Sequence, residues 1–85
     1  MSYRVILEQT AQKDFLALEP PIARRVQERL LTLEQNPRPP GGRKLRAISP
    51  ARFRLRVGDW RILYTINDQT KEVRIYRIKH RSQAY

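Results

Sequence analysis

The sequence predicts an α+β fold in which an N-terminal strand and a helical hairpin are followed by an antiparallel β-meander, with the helices packed on one face of a twisted antiparallel sheet. Three observations indicate this fold. Apolar residues recur at helical spacing before residue 37, they alternate with polar residues after residue 51, and short turn-forming stretches separate the periodic segments. The chain has 85 residues, enough for one modest core, and we expect residues 1–85 to form a single domain.

The chain begins with a predicted strand and a predicted helix. Residues 3–8 carry their apolar side chains mainly at alternate positions, which is typical of a strand. Thr10 is a candidate helix cap, because its hydroxyl can accept a bond from an unpaired backbone N–H. The helix that follows has an apolar stripe made of Ala11, Phe15 and Leu18.

A second helix is predicted directly after the first. Pro20 and Pro21 end the first helix and suit the first turn of the next, where a missing backbone N–H costs little. Asn36 and Pro37 end the second helix. Its apolar stripe consists of Ile22, Val26, Leu30 and Leu33.

The second half of the chain is predicted to contain strands joined by short turns. The segment 37–42 (PRPPGG) is a loop, and Lys44–Leu45 forms a short edge strand. Longer strands are expected at 52–57, 60–66 and 73–79, with turns at 58–59 and 67–71. Neighbouring strands with short connections are typical of an antiparallel meander.

The composition excludes several classes of protein. There is no cysteine, which rules out disulfides and thiolate metal sites. His80 is the only histidine and no carboxylate cluster suits Mg²⁺, so we expect no metal and no cofactor. No apolar run reaches the roughly 20 residues of a membrane span, and the N-terminus does not resemble a secretory signal. We therefore expect a cytoplasmic location.

The charge of the chain is strongly one-sided. There are 18 Lys and Arg residues against 8 Asp and Glu residues, which gives a net charge of +10. Residues 1–37 are neutral overall, so the whole excess lies in residues 38–85. This asymmetry indicates a polyanionic partner such as RNA, DNA, an acidic protein or an anionic membrane surface, and a solubilising surface is the simpler alternative.

A row of arginines is the most informative feature of the second half. Side chains alternate between the two faces of a strand, so Arg52, Arg54 and Arg56 project together while the apolar residues between them face the helices. The guanidinium groups are then spaced by about 7 Å along the strand. Arg61 begins the next strand and joins them if the register allows. We interpret the row as an anion-binding surface, against the alternative of an ordinary solvated sheet face.

The C-terminal segment HRSQAY is a second candidate site. Histidine is a common proton-transfer residue, which makes His80 a candidate, Arg81 can hold a phosphate, and Tyr85 can stack on a base or exchange a proton. Taken singly, each is more often an ordinary surface residue. Their grouping beside the arginine row favours a functional interpretation.

Four segments resemble one protein family across nearly the whole chain. They are YRVILEQTAQKDFLAL (3–18), NPRPPGGRKL (36–45), FRLRVGDWRILYTI (53–66) and VRIYRIKHRSQAY (73–85). The core of the signature is RVGDWR followed by ILY, then the spaced Val, Ile, Ile and His-Arg of the last strand and a near-terminal tyrosine. The sequence resembles the RelE branch of the RelE/ParE superfamily, the small toxins of type II toxin–antitoxin pairs.

The resemblance implies an activity and a set of partners. RelE-like toxins cleave mRNA in the ribosomal A site, where the ribose 2′-hydroxyl attacks the adjacent phosphate without a metal and translation stops. The implied partners are mRNA, the ribosome with its 16S rRNA, and a cognate antitoxin in a toxin–antitoxin hetero-oligomer, but no membrane. Leu16 and Leu31 fall off the main helical stripes and are candidate antitoxin contacts, or simply single exposed leucines.

The resemblance also implies roles for individual residues. Arg54, Arg61 and Arg81 would bind and stabilise the phosphate, and Tyr85 matches the family's C-terminal tyrosine, a base or a stacking platform. His80 completes the candidate catalytic set. The candidate RNA-binding residues are Arg52, Arg56, Lys44, Arg46 and Lys79.

One departure from the family leaves the general acid open. Well-studied RelE members carry lysines at the positions of Arg52 and Arg54, and an arginine holds its proton too tightly to donate it. The donor is then one of Lys44, Lys79, His80 and Tyr85, or the leaving oxygen departs with electrostatic help alone. Two further functions remain as alternatives: a ParE-like toxin that acts on DNA gyrase by binding, and a non-catalytic RNA-binding module.

Overall fold

A computed structural model describes residues 2–46 and 51–83 of the chain, with the side chain of Arg46 excepted. The described residues form, in order, β1 (Arg4–Leu7), α1 (Gln9–Leu16), α2 (Pro20–Gln35), β2 (Gly42–Arg46), β3 (Arg52–Val57), β4 (Trp60–Asn67) and β5 (Glu72–His80). The predicted α+β class, the N-terminal strand and the helical hairpin are confirmed.

The described strands form one five-stranded sheet in the order β1-β5-β4-β3-β2. From β2 to β5 the chain forms the predicted antiparallel meander. β1 runs parallel to β5, with Val5 beside Val73, so the sheet is mixed and the expectation of a wholly antiparallel sheet is wrong. A parallel neighbour needs a crossover connection, and the intervening helices and strands of this chain provide a long one.

The two helices begin at different kinds of residue. α1 begins at Gln9 with Glu8 as its N-cap, and the Glu8 carbonyl already accepts the N–H of Gln12 at 2.9 Å. Thr10 therefore lies inside the first turn, and its predicted capping role is wrong. α2 begins at Pro20 and ends with Asn36 as its C-cap, as the prolines and the asparagine predict.

The core lies between the helices and one face of the sheet. Its buried residues are Ala11, Val26, Leu30 and Leu33 from the helices with Leu55, Val57, Ile62, Tyr64, Val73, Ile75 and Ile78 from the strands. The predicted stripe of α2 is thus buried, with Ile22 partly so. Leu16 and Leu31, off the stripes, are 82% and 56% exposed.

α1 also covers the edge of β5 that β1 leaves unpaired. β1 pairs only with residues 72–75, so the rest of β5 has a free edge on that side. Asp14 on α1 accepts the backbone N–H of Ile78 at 2.9 Å and the Nε–H of Arg77 at 2.8 Å. One carboxylate therefore satisfies an orphan backbone donor of the sheet and fixes an arginine beside it.

Tyr64 is a fully buried phenol that ties the loop after α2 to the core. Its hydroxyl donates to the Pro37 carbonyl at 3.1 Å, and its ring stacks on Phe53 with centroids 5.6 Å apart. Burial raises the pKa of Tyr64 to about 12, so the hydroxyl keeps its proton for this bond.

Asp68 gathers three distant parts of the chain at the β4–β5 turn. Its carboxylate accepts two bonds from Arg38, at 2.9 and 3.2 Å, and one from the Tyr3 hydroxyl at 2.6 Å. The hydrogen bond from Arg38 is the main cause, ahead of that from Tyr3, of a pKa for Asp68 that falls from 3.8 to about 2.

We expect Tyr64→Phe to destabilise the fold by about 1–3 kcal/mol, because it leaves the buried Pro37 carbonyl without its donor. Urea unfolding at neutral pH measures this loss. Tyr3→Phe, which removes an exposed hydroxyl, is the matched control and should cost less. Equal stability of Tyr64→Phe and the parent would contradict the assignment.

We expect Asp68→Asn to remove part of the acid sensitivity of the fold. The folded pKa of Asp68 lies below its usual value, so its contribution is complete above about pH 4 and is lost as pH falls towards 2. Thermal unfolding from pH 6 to pH 2 should show the parent more stable at pH 6, with the difference shrinking in acid. A difference that stays constant with pH would disprove this.

Candidate nucleic-acid interface

The register of β3, β4 and β5 places many basic side chains on the sheet face away from the helices. Residues paired across neighbouring strands share a face, and Leu55 and Ile62 mark the helix-facing side. We call the opposite side the arginine face. Its nine paired positions are Arg52, Arg54 and Arg56 on β3, Arg61, Leu63 and Thr65 on β4, and Arg74, Arg77 and Lys79 on β5. Seven of these nine positions are basic.

Arg61 occupies the middle of one row of residues across the arginine face. It pairs with Arg56 on one side and with Lys79 on the other. Directly opposed residues have Cβ atoms about 5 Å apart, so three cations lie within reach of one phosphate. Like charges this close repel each other, and a bound polyanion turns that cost into attraction.

The floor of the arginine face is apolar. Leu63 lies between Arg54 and Arg77 in the register and is only 3% exposed, although it points away from the helix-packed core. The aliphatic stems of long basic side chains can cover such a residue while their charged ends stay in water. An apolar floor strengthens the electrostatic attraction of an anion above it.

The charge of the arginine face is compensated unevenly. The two β5 arginines have acidic partners: Arg77 pairs with Asp14 at 2.8 Å, and Arg74 pairs with Glu72 at 3.5 Å. The three β3 arginines have no acid within 4 Å among the residues that the structure describes. The β3 side of the face therefore keeps its full positive charge.

Arg81 lies in the turn after β5, at the end of the sheet where Arg56 and Arg61 are found. Its backbone N–H donates to the Asp59 carbonyl at 2.7 Å, and its guanidinium is 3.8 Å from the Asp59 carboxylate. Both side chains of this ion pair are about two-thirds exposed. Such a pair is weak and leaves the guanidinium available to a stronger anion.

His80 lies on the helix-facing side, away from the arginine face. It pairs with Trp60 in the register and meets that ring edge-on, with centroids 5.2 Å apart. Its Nδ1 lies 2.9 Å from the Ser82 hydroxyl and accepts the Ser82 backbone N–H at 3.2 Å. Because a backbone N–H only donates, Nδ1 is the acceptor and Nε2 carries the proton of the neutral ring.

The remaining sequence-predicted residues lie in different places. Lys44 pairs with Phe53, which puts it at the outer edge of the helix-facing side. The backbone of Arg46 pairs with Arg52, but its side chain is not among the described ones. Tyr85 lies outside the described residues. The structure thus brings together Arg52, Arg54, Arg56, Arg61 and Lys79, with Arg81 at their margin.

Sequence reasoning missed several basic residues and one aromatic residue of this surface. Arg43 pairs with Arg54 at the β2 edge, and Arg74 and Arg77 belong to the face through β5. Tyr76 joins them through an irregularity in the β4–β5 register between Leu63 and Tyr64, which leaves it as an extra residue.

A sequence signal for this irregularity exists. The buried apolar residues of β5 are Val73, Ile75 and Ile78, and the last interval is three residues instead of two. Two successive residues must therefore lie between two core positions, which is the mark of a bulge.

Among the described residues no helix has both the length and the apolar character to cross a membrane. The same residues contain no group of three His, Asp or Glu side chains arranged to hold a metal.

Similarity to known proteins covers nearly the whole chain. A family model described as "ParE toxin of type II toxin-antitoxin system, parDE" matches residues 5–85. The chain is 31% identical to a chain of the archaeal RelE–RelB complex from Pyrococcus horikoshii OT3, with a TM-score of 0.86 over 99% of this chain and 100% of that one. It is 33% identical to a chain of the toxin–antitoxin complex RelBE2 from Mycobacterium tuberculosis, with a TM-score of 0.82 over 94% of this chain and 99% of that one.

More distant structures share the fold. A chain of the intact E. coli RelBE toxin–antitoxin complex is 19% identical, with a TM-score of 0.78 over 96% of this chain and 100% of that one. No curated protein sequence matches the chain. The family match and the two relatives above 30% identity establish that this chain belongs to the RelE/ParE superfamily of type II toxins.

Proposed function

We propose that this toxin is a metal-independent endoribonuclease that cleaves mRNA in the ribosomal A site and so inhibits translation. The observation that carries the proposal is the arginine face, where Arg61 lies between Arg56 and Lys79 and the buried Leu63 lies in the next row of the same face. A nucleic-acid backbone is the ligand that such a row of cations suits best.

The proposed reaction is an internal transfer at one phosphodiester. The 2′-hydroxyl loses its proton to a base, and its oxygen forms a bond to phosphorus. The bond between phosphorus and the 5′-oxygen breaks, and that oxygen gains a proton. The products are a 2′,3′-cyclic phosphate and a 5′-hydroxyl. Arg54 and Arg61 stabilise the extra negative charge of the pentavalent phosphate, and Arg81 holds it from the margin.

Lys79 is the proton donor that we favour for the leaving oxygen. It shares the arginine face with Arg61, and a lysine, unlike an arginine, can give up its proton. Lys44 and His80 lie towards the other side of the sheet. Tyr85 remains the proposed base or stacking residue.

His80 is proposed to act through the turn that carries Arg81. Its backbone N–H donates to the Gln83 side chain at 2.8 Å, and its carbonyl accepts the Gln83 N–H at 2.9 Å. Together with the bond from the Ser82 N–H to Nδ1, these contacts close the turn around Arg81. In this arrangement His80 is a positioning residue.

A cognate antitoxin in the cytoplasm is the proposed partner of the toxin when it is not bound to the ribosome. Related chains are found in RelE–RelB complexes. A face with seven basic side chains favours binding of an acidic or amphipathic segment when RNA is absent. Leu16 and Leu31 are exposed on α1 and α2 and are the proposed apolar contacts. The mRNA and 16S rRNA of the ribosome occupy the arginine face in the active state.

A ParE-like toxin that inhibits DNA gyrase by binding is the second candidate. The family model that matches residues 5–85 carries the ParE name, which favours it. The two functions differ in a simple way. A nuclease leaves cut mRNA and intact DNA in induced cells, whereas gyrase inhibition leaves intact mRNA and damaged DNA.

We expect Arg61→Ala and Arg54→Ala each to reduce ribosome-dependent mRNA cleavage by about 10²–10³-fold, as the loss of one group that stabilises transition-state charge does elsewhere. Primer extension on mRNA from purified translating ribosomes measures the loss. Arg24→Ala, on an exposed stretch of α2, is the matched control and should cleave like the parent. Full cleavage by both site variants would end the nuclease proposal.

We expect His80→Asn to keep most of the cleavage activity and His80→Gln to lose it. The Asn side-chain oxygen can take the place of Nδ1 as acceptor for the Ser82 N–H, whereas Gln places its amide near Nε2. Hydrogen exchange of the Ser82 amide should rise in the Gln variant only. Loss of activity in both variants, with the Ser82 amide protected in both, would instead make His80 a proton-transfer group.

A further inference from the structure

The end of the arginine face away from Arg61 carries a feature of a different kind. The Arg52 guanidinium lies over the ring of Tyr76, 5.0 Å from its centroid. Both side chains border a cavity of about 530 Å³ that is also lined by Thr65, Arg74 and Arg77. This is the one place on the described part of the face where an aromatic ring, a cation and a cavity meet.

The bulge in β5 creates this arrangement. In a regular strand the residue after the buried Ile75 faces away from the core, and the next one returns to it. Here Tyr76 and Arg77 both lie between Ile75 and the buried Ile78. The extra residue brings a partly buried tyrosine beside Arg52, which has no acidic partner among the described residues.

We propose that Tyr76 and Arg52 form a stacking site for one base of single-stranded RNA, separate from the phosphate-binding centre at Arg61. The proposal rests on the proposed function and extends it to the path of the substrate. Bases stack on aromatic rings and on guanidinium planes, and unpaired RNA offers its bases for such contacts.

The charges around the cavity favour a nucleotide as the occupant. Arg74 and Arg77 are already paired with Glu72 and Asp14, so Arg52 is the uncompensated cation at this end. Glu8 and Thr10 also line the cavity and offer acceptor oxygens to the amino group of a base, and the charge of Glu8 disfavours a phosphate beside it. The phosphate is thereby directed to the β3 side.

The distance to the centre agrees with a neighbouring nucleotide. Thr65, beside the stack, is four residues from Arg61 along β4, which corresponds to about 13 Å. A nucleotide next to the scissile phosphate can span this distance. The RNA would then run along β3 and β4 from Arg61 towards Arg52.

Binding of a single-stranded RNA that carries 2′-O-methyl groups, and so cannot be cleaved, tests the site in the absence of ribosomes. Tyr76→Leu should weaken binding by about 5- to 150-fold, the effect that removing one stacking aromatic ring has in other single-strand binding proteins. Tyr76→Phe should stay within about twofold of the parent, because it keeps the ring. Fluorescence anisotropy measures the Kd.

Tyr3→Leu is the matched control. Tyr3 also lies under a cation, the Lys71 ammonium 5.2 Å from its ring centroid, but away from the cavity. Its loss should leave RNA binding unchanged.

Salt dependence separates stacking from phosphate contact. Tyr76→Leu should leave the slope of log Kd against log salt unchanged, whereas Arg52→Gln should lower it by up to about 0.7, the value for one phosphate contact on a single strand. A 2-aminopurine base scanned along the RNA should be quenched at one position in the parent and lose that quenching in Tyr76→Leu.

Two outcomes would overturn the proposal, and they differ from failure of the proposed function. RNA affinity that falls in Arg61→Ala but not in Tyr76→Leu would remove the stacking site and leave the arginine face as the RNA-binding surface. Absence of position-specific quenching in the parent would do the same even if Tyr76→Leu folded poorly. RNA binding that no arginine variant weakens would count against the proposed function itself.

Discussion

Burial of one sheet face under α1 and α2 is the constraint on which the rest of this structure depends. Since side chains alternate along a strand, a strand that gives Leu55 and Val57 to the core must present Arg54 and Arg56 to the other side. The same rule applied to β4 and β5 collects basic residues from three strands. The arginine face is thus a by-product of how the core is packed, and changes in register would disperse it.

Some of the arginines on the arginine face have acidic partners and others do not. Asp14 and Glu72 hold the β5 arginines, and Asp14 also satisfies the Ile78 N–H at the sheet edge. The β3 arginines have no such partners among the described residues. A protein that concentrates like charges in this way loses some folding stability in exchange for attraction of a polyanion. The buried Tyr64 and the Asp68 cluster, on other parts of the molecule, contribute stability that does not depend on that charge.

The position of His80 changes how the C-terminal residues are understood. A histidine next to an arginine in a basic segment is an obvious candidate for proton transfer. In the fold, however, β5 alternation turns His80 towards Trp60 and leaves Lys79 on the arginine face. Lys79 and His80, which are adjacent on β5, therefore have different proposed roles. Lys79 is the proposed proton donor, and His80 supports the turn that carries Arg81.

The sequence by itself determined the α+β class, the presence of two helices, the buried stripe of α2, the boundaries of β3 and the common face of Arg52, Arg54 and Arg56, whereas the β3–β4 register places Arg61 on that face. These follow from local periodicity, because the spacing of apolar residues decides which side chains share a face. Only the tertiary structure decided that β1 lies parallel to β5, that Asp14 covers the free edge, and that a bulge brings Tyr76 beside Arg52. The apolar spacing within β5 indicates a bulge, but it does not say which residue lies beside it. All three features depend on contacts between residues more than twenty positions apart in the chain, and the period of a single segment does not encode such contacts.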